Sequence, residues 1–149
     1  MVPRVAASAF LNRYRHALDD KGRVILPAKW RQQLEGGAFV AEWVGGCLAV
    51  FPPDEFARVS AELQEKAKRG ERERRAMRMF FAGASDVMPD KQGRIALPQP
   101  GRDYARLAGE VVLAGAGTRI EIWNPELYER EEEEGRAVLH SADGIADFV

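Results

Sequence analysis

Apolar and polar positions along the chain alternate between a two-residue and a helical period, and the switches fall at Gly and Pro. Residues 10–16, Phe-Leu-Asn-Arg-Tyr-Arg-His, predict a first strand with Arg13 and Arg15 on one face. Pro27 opens a short helix in which Trp30 and Leu34 share a face, and Gly36-Gly37 ends it. Residues 38–44 and 47–51 predict a hairpin around Gly45-Gly46, stopped by Pro52-Pro53. Phe56, Val59, Leu63 and Ala67 then follow helical spacing, with Asp54 as the expected N-cap. Residues 66–78 are densely charged and interrupted by Gly70, which predicts an exposed linking helix. Met77, Phe80 and Phe81 bring the chain back to a core.

The plan then repeats. Residues 84–88 predict a strand, and 111–114 with 119–123 a hairpin across Gly115-Ala116-Gly117. Pro100 and Gly101 weaken the intervening helix, so only a brief turn near Tyr104 and Leu107 is expected. Residues 126–136 predict a last helix and 141–149 a tail.

One stretch occurs in both halves. Asp19-Asp20-Lys21-Gly22-Arg23-Val24-Ile25-Leu26-Pro27 aligns without a gap to Asp90-Lys91-Gln92-Gly93-Arg94-Ile95-Ala96-Leu97-Pro98. Asp19 and Asp90 suit a turn, because a short carboxylate accepts from backbone N–H groups just ahead of it. Gly22 and Gly93 tolerate positive φ. The β-branched residues that follow favour a strand, and Pro27 and Pro98 suit a helix start. A repeated supersecondary unit implies two units that bury each other's apolar face.

The doubled D-x-x-G-R-[VI]-x-L-P resembles the MraZ family, over residues 10–128. Family members commonly begin near Phe10, and Asn12 stands where they commonly have Gly; Asn tolerates that backbone region. The resemblance implies an α+β fold: two AbrB-like swapped-hairpin halves, a pseudo-dimer joined by a charged helix. It divides the chain into a disordered extension (1–9), a first repeat with linking helix (10–82), a second repeat with C-terminal helix (83–140) and the tail. It also implies a sequence-specific, double-stranded DNA-binding transcriptional regulator. Such a regulator would act on promoter direct repeats of the division and cell-wall gene cluster, as a ring-like homo-oligomer.

Composition narrows the location. The single cysteine, Cys47, forbids an internal disulfide. The apolar run at 5–11 is short for a signal segment and is followed at once by Arg13 and Arg15. No uncharged stretch approaches the roughly 20 residues of a membrane span. A cytoplasmic protein with no membrane partner is expected, and the resemblance to a DNA-binding family implies association with the nucleoid. The net charge of −1 says nothing for nucleic acid, but its distribution is uneven. Residues 1–31 hold seven basic side chains against two acidic ones, a balance of +5. Residues 126–134 hold six Glu against one Arg, or −5. Such asymmetry is expected if one face meets an anion; two solvated segments would read the same way.

Catalysis is not expected. His16 and His140 are the only histidines, the serines lack nucleophile-elbow spacing, and no phosphate-loop or dinucleotide motif occurs. No metal, cofactor or small-molecule substrate is implied. The candidate DNA-binding residues are Arg13, Arg15, Lys21 and Arg23. A guanidinium forks onto guanine O6 and N7 or onto phosphate, and a two-stranded ribbon fits the major groove. Arg23 could instead pair with Asp19 and brace the turn; the two roles are compatible. Arg94 is read as mainly structural, with Asp19, Gly22, Pro27, Asp90, Gly93 and Pro98, because Gln92 lacks the charge of Lys21. Arg72, Arg74, Arg75 and Arg78 are a lesser nucleic-acid candidate. Trp30, Trp43 and Trp123 suit core or interface packing better than base stacking. The alternative to a DNA regulator is an AbrB-fold, antitoxin-like protein-interaction module. Such modules carry one motif copy and a long partner-binding tail, whereas this tail is short.

Overall fold

The computed structural model describes residues 9–149; the extension expected at the N-terminus lies, except for Ala9, outside the described residues. In chain order the elements are β1 (Arg13–Ala17), β2 (Arg23–Ile25), α1 (Ala28–Arg31) continuing into a 3-10 turn (Gln32–Leu34), β3 (Ala38–Trp43) and β4 (Cys47–Phe51). There follow α2 (Pro53–Ala67), α3 (Glu71–Ala82), β5 (Ser85–Val87), β6 (Arg94–Ala96), α4 (Gln99–Ala105), β7 (Glu110–Gly115), β8 (Ile120–Trp123) and α5 (Pro125–Leu139). A 3-10 turn (Ile145–Asp147) lies in the C-terminal tail.

Six strands form one antiparallel sheet in the order β1-β7-β8-β4-β3-β5, and β2 pairs with β6 in a separate ribbon. The order reads the same from either end once each strand is exchanged for its counterpart in the other half. Counterparts meet on the axis of that pseudo-two-fold: Val24 opposes Ile95 in the ribbon, and Ala49 opposes Glu121 in the sheet. The halves are swapped. First-half β1 adds to second-half β7, and second-half β5 adds to first-half β3. The α+β pseudo-dimer is therefore the observed architecture.

Alternation sorts the sheet's side chains into two faces. One face packs Val40, Leu48, Val50, Leu113, Ile120 and Ile122 against Val24, Leu26, Ile95, Leu97, Trp30 and Leu34 of the ribbon and its helices. The other face is covered by α2 and α3 on one side and by α5 on the other. Phe56 stacks on Phe39 at 4.1 Å between centroids, and Phe80 packs on Phe56 at 5.8 Å.

Three local expectations change. The linking segment is two helices, because Gly70 is fully extended (φ 174°, ψ 176°) and breaks the run. Asp54 is not the N-cap of α2; Pro52 holds that place and Pro53 opens the helix, where its fixed φ fits and a missing N–H costs nothing. Asp54 and Glu55 stand in the first turn instead, next to the positive end of the helix dipole. The helix α4 forms despite Pro100 and Gly101. Pro100 occupies its first turn, and Gly101 lets the helix approach the sheet: an added Cβ would stand 3.2 Å from Leu48 Cδ2.

Candidate nucleic-acid interface

The motif builds the same turn twice. Asp19 Oδ1 accepts from the amides of Lys21 and Arg23, both at 2.9 Å, and Oδ2 accepts from Arg23 Nε at 2.7 Å. Asp90 does likewise with the amides of Gln92 and Arg94 at 2.9 Å and Arg94 Nε at 2.8 Å. The Arg23 amide, then its side chain, holds the Asp19 carboxyl below its ordinary pKa, and Arg94 does the same to Asp90. Gly22 and Gly93 take φ of +76° and +78°, and each amide closes its turn onto the Asp carbonyl. The turns are tied to each other: Leu26 N donates to Gly93 O at 2.8 Å and Leu97 N to Gly22 O at 3.0 Å.

The ribbon's inner face is Val24 and Ile95, both fully buried. Its outer face carries Arg23 opposite Ala96 and Ile25 opposite Arg94. Arg23 and Arg94 are exposed to similar degrees, 29% and 26% of the side chain, and Arg94 Nη1 also lies 3.9 Å from Asp19 Oδ2. The bracing role foreseen for Arg23 is present, and Arg94 has the same one. Each Asp takes its hydrogen bond from Nε, and 3.9 Å is too long for one from Arg94 Nη1, so the terminal nitrogens still have hydrogen bonds to give another acceptor. Lys21 is exposed on the first turn and Lys91 on the second. Reading Gln92 as the counterpart of Lys21 hid Lys91, which is one residue earlier in the same turn.

Arg13 and Arg15 do not join this group. They oppose Ala114 and Val112, which face α5, whereas their neighbours Tyr14 and His16 oppose residues of the ribbon side. Arg13 pairs with Glu132 at 3.0 Å, and Arg15 with Glu110 at 2.6 Å and Glu129 at 3.8 Å. The basic N-terminal segment and the acidic C-terminal one thus meet and partly neutralise each other. They are not separate basic and acidic ends. Arg74, Arg75 and Arg78 are likewise engaged by Glu71.

The tryptophans are packing residues. Trp30 is 2% exposed and meets Phe10 and Tyr14 edge-on; Trp123 is 4% exposed and meets Tyr128. Trp43 lies under the Arg119 guanidinium, 5.0 Å from its centroid. Cys47 is fully buried, and burial pushes its thiol up to about 12. Among the described residues no cluster of His, Cys, Asp or Glu is placed to hold a metal, and no helix is long and apolar enough to cross a membrane.

Two arginines escaped the reading of the sequence. Arg31 Nε donates to Leu26 O at 2.9 Å, and its counterpart Arg102 Nε donates to Leu97 O at 2.9 Å. Each guanidinium rests on the motif glycine of the opposite half, Arg102 on Gly22 and Arg31 on Gly93. The signal was available: both lie four residues after a motif proline.

The comparisons with known proteins agree with this construction. A family profile described as "MraZ protein, putative antitoxin-like" matches residues 9–79 and again 80–143. A transcriptional regulator MraZ of Salinispora arenicola is 45% identical over 93% of this chain and 94% of its own length. Its namesake in Parafrankia sp. is 46% identical over 80% and 84%. The one in Carboxydothermus hydrogenoformans is 38% identical over 94% and 99%. These relatives are named as regulators, not enzymes. With the doubled turn, the swapped strands and matches that span both halves, the chain belongs to the MraZ family.

Proposed function

We propose that the β2–β6 ribbon is a reading head for double-stranded DNA and that the protein regulates transcription. The observation that carries this is the symmetric outer face, where Arg23 and Arg94 flank a pseudo-two-fold with their terminal nitrogens making no hydrogen bond among the described residues, and a lysine on each turn. A two-stranded ribbon fits the major groove, and arginine forked onto guanine is its commonest specific contact. Lys21 and Lys91 neutralise phosphate. This reading gives Arg94 the role first assigned to Arg23 alone, because the two environments match. It does not use Arg13 and Arg15, which face α5.

The names of the relatives support transcriptional regulation in general. The finer reading is action on short direct repeats ahead of the division and cell-wall gene cluster, by a nucleoid-associated cytoplasmic protein. A ring-like homo-oligomer presents several ribbons to successive repeats, and effective concentration then raises affinity beyond one ribbon's. Exposed Leu11, Val44, Met79 and Met88 offer apolar surface for that assembly.

The test is titration of Arg23→Ala and Arg94→Ala, shown folded by circular dichroism, against the protein's own promoter duplex and a scrambled one. Each lost fork should cost about 1–3 kcal/mol of discrimination per site. Both variants should lose preference for the promoter and keep salt-sensitive binding to any duplex. Full preference in a folded Arg23→Ala protein would refute base reading by this residue. Light scattering or native mass spectrometry tests the ring, and a strict monomer would remove it.

A further inference from the structure

Six arginines among the described residues are half-buried: Arg23, Arg31, Arg74, Arg94, Arg102 and Arg119. Four of them hold a carboxylate, at 2.7 Å (Asp19), 3.0 Å (Glu71), 2.8 Å (Asp90) and 2.7 Å (Glu121) for Arg23, Arg74, Arg94 and Arg119. Arg31 and Arg102 make no ion pair among the described residues. The only side-chain hydrogen bonds they make there run from Nε to a main-chain carbonyl. Partial burial of a charge with no counter-ion is unfavourable, so each position is suited to an anion from outside.

Both guanidiniums are held in place. The Nε bond fixes one edge, and the turn glycine of the opposite half fixes one side of the plane. A Cβ on Gly22 would stand 2.5 Å from Arg102 Cζ, and one on Gly93 would overlap Arg31. Arg31 also borders an open hollow of ≈ 230 Å³ with Lys91, Gly93, Pro89, Asp90 and Glu35. Two cations and two carboxylates line that hollow, yet Arg31 pairs with neither carboxylate.

We infer that Arg31 and Arg102 are phosphate clamps for the duplex, each completing the motif turn of the other half. The inference rests on the ribbon being the DNA-reading element. A ribbon centred in a groove has a phosphate backbone on either side, and phosphate contacts fix its register. The pseudo-two-fold that relates Arg31 to Arg102 acts as the dyad of a duplex does on its two strands. The planar fork suits a phosphate's paired oxygens. Each reading unit is therefore composite: turn and base-reading arginine from one half, clamp from the other.

Arg31→Gln and Arg102→Gln should weaken binding to promoter and scrambled duplexes alike and leave the ratio between them unchanged. Each should also flatten the slope of log K against log salt by about 0.9 for every phosphate that is no longer neutralised. A slope equal to wild type in folded variants, with only the melting temperature lowered, would show that the arginines are latches and overturn the inference. If a variant does not fold, the wild-type protein still decides. Modification by an arginine-selective dicarbonyl, mapped by peptide mass spectrometry, should be blocked at both residues by added duplex. Modification that duplex does not slow would overturn the clamp. Protection already complete without duplex, with a smaller assembly in the Gln variants, would assign the anion to another copy of the chain and also overturn it. Failure of wild type to bind any duplex would remove the ribbon reading itself. Failure of the clamp alone leaves wild-type binding and its salt slope intact.

Discussion

Gly22 meets two demands at once. Its φ of +76° lies where a Cβ crowds the following carbonyl, at a cost of about 1–2 kcal/mol. The same Cβ would also strike the Arg102 guanidinium. Gly22→Ala should therefore destabilise by more than the backbone term, and Arg102→Ala should bring the loss back to roughly that term. A double-mutant cycle in urea measures the coupling, and additive losses would refute it. Asp19 offers a test by pH. Its folded pKa lies below the unfolded value of about 3.9, so the unfolded chain binds the proton first as pH falls. The stabilisation is present above pH ~4 and disappears as pH falls through the folded pKa. Asp19→Asn keeps an acceptor and loses the charge, so it should be less stable than wild type near neutrality, with the gap closing in acid. A gap constant from neutral to acid pH in denaturant titrations would contradict this.

At the scale of elements, boundaries follow local chemistry where a residue acts on its own backbone, and depart from it where tertiary contact intervenes. Asn124 caps α5, its Oδ1 accepting from the amides of Glu126 at 2.9 Å and Leu127 at 3.2 Å. Asp54 caps nothing. Asn124→Ala should cost about 1 kcal/mol, the usual worth of a cap, in thermal or urea unfolding, and Asp54→Ala clearly less. Equal losses would contradict the assignment. The repeated turns were legible because Asp, Gly and Pro act within a few residues of themselves. The strands of both hairpins were legible for the same reason, although Gly115, expected in the second turn, ends β7 instead. The length of α4 was not, since Gly101 is favourable only once Leu48 is beneath it. Arg31 and Arg102 were marked in the sequence by their shared spacing from the motif prolines, but their seats were not: Arg31 and Gly93 are far apart in sequence and meet only through the swap. Charge misled for a related reason. The excess of positive residues near β1 is met by α5, a neighbour that no local window contains.

The whole molecule is two halves that cannot close separately. Among the described residues the only strand partner of β1 is β7, that of β2 is β6, and that of β5 is β3. Cutting the chain after Ala82 leaves the β3–β4 hairpin and its helices but strands β1 and β2 without partners. Leu26, Trp30 and Leu34 would also lose Ile95 and Leu97 from the core they share. An isolated hairpin with one wet apolar face is marginal at best. Yet the pseudo-two-fold means that a second copy of the half has nearly the surface the missing half supplied, with Val24 opposing Val24 across the axis. Residues 9–82 alone should therefore be unfolded when dilute and gain structure only as a symmetric dimer. The unfolding midpoint should rise with concentration, as it must when association and folding are one step. Circular dichroism melts with analytical ultracentrifugation across a wide range of concentration measure both quantities. A compact monomer with a cooperative, concentration-independent transition would show that each half folds alone, and that the swap is a late docking of finished units.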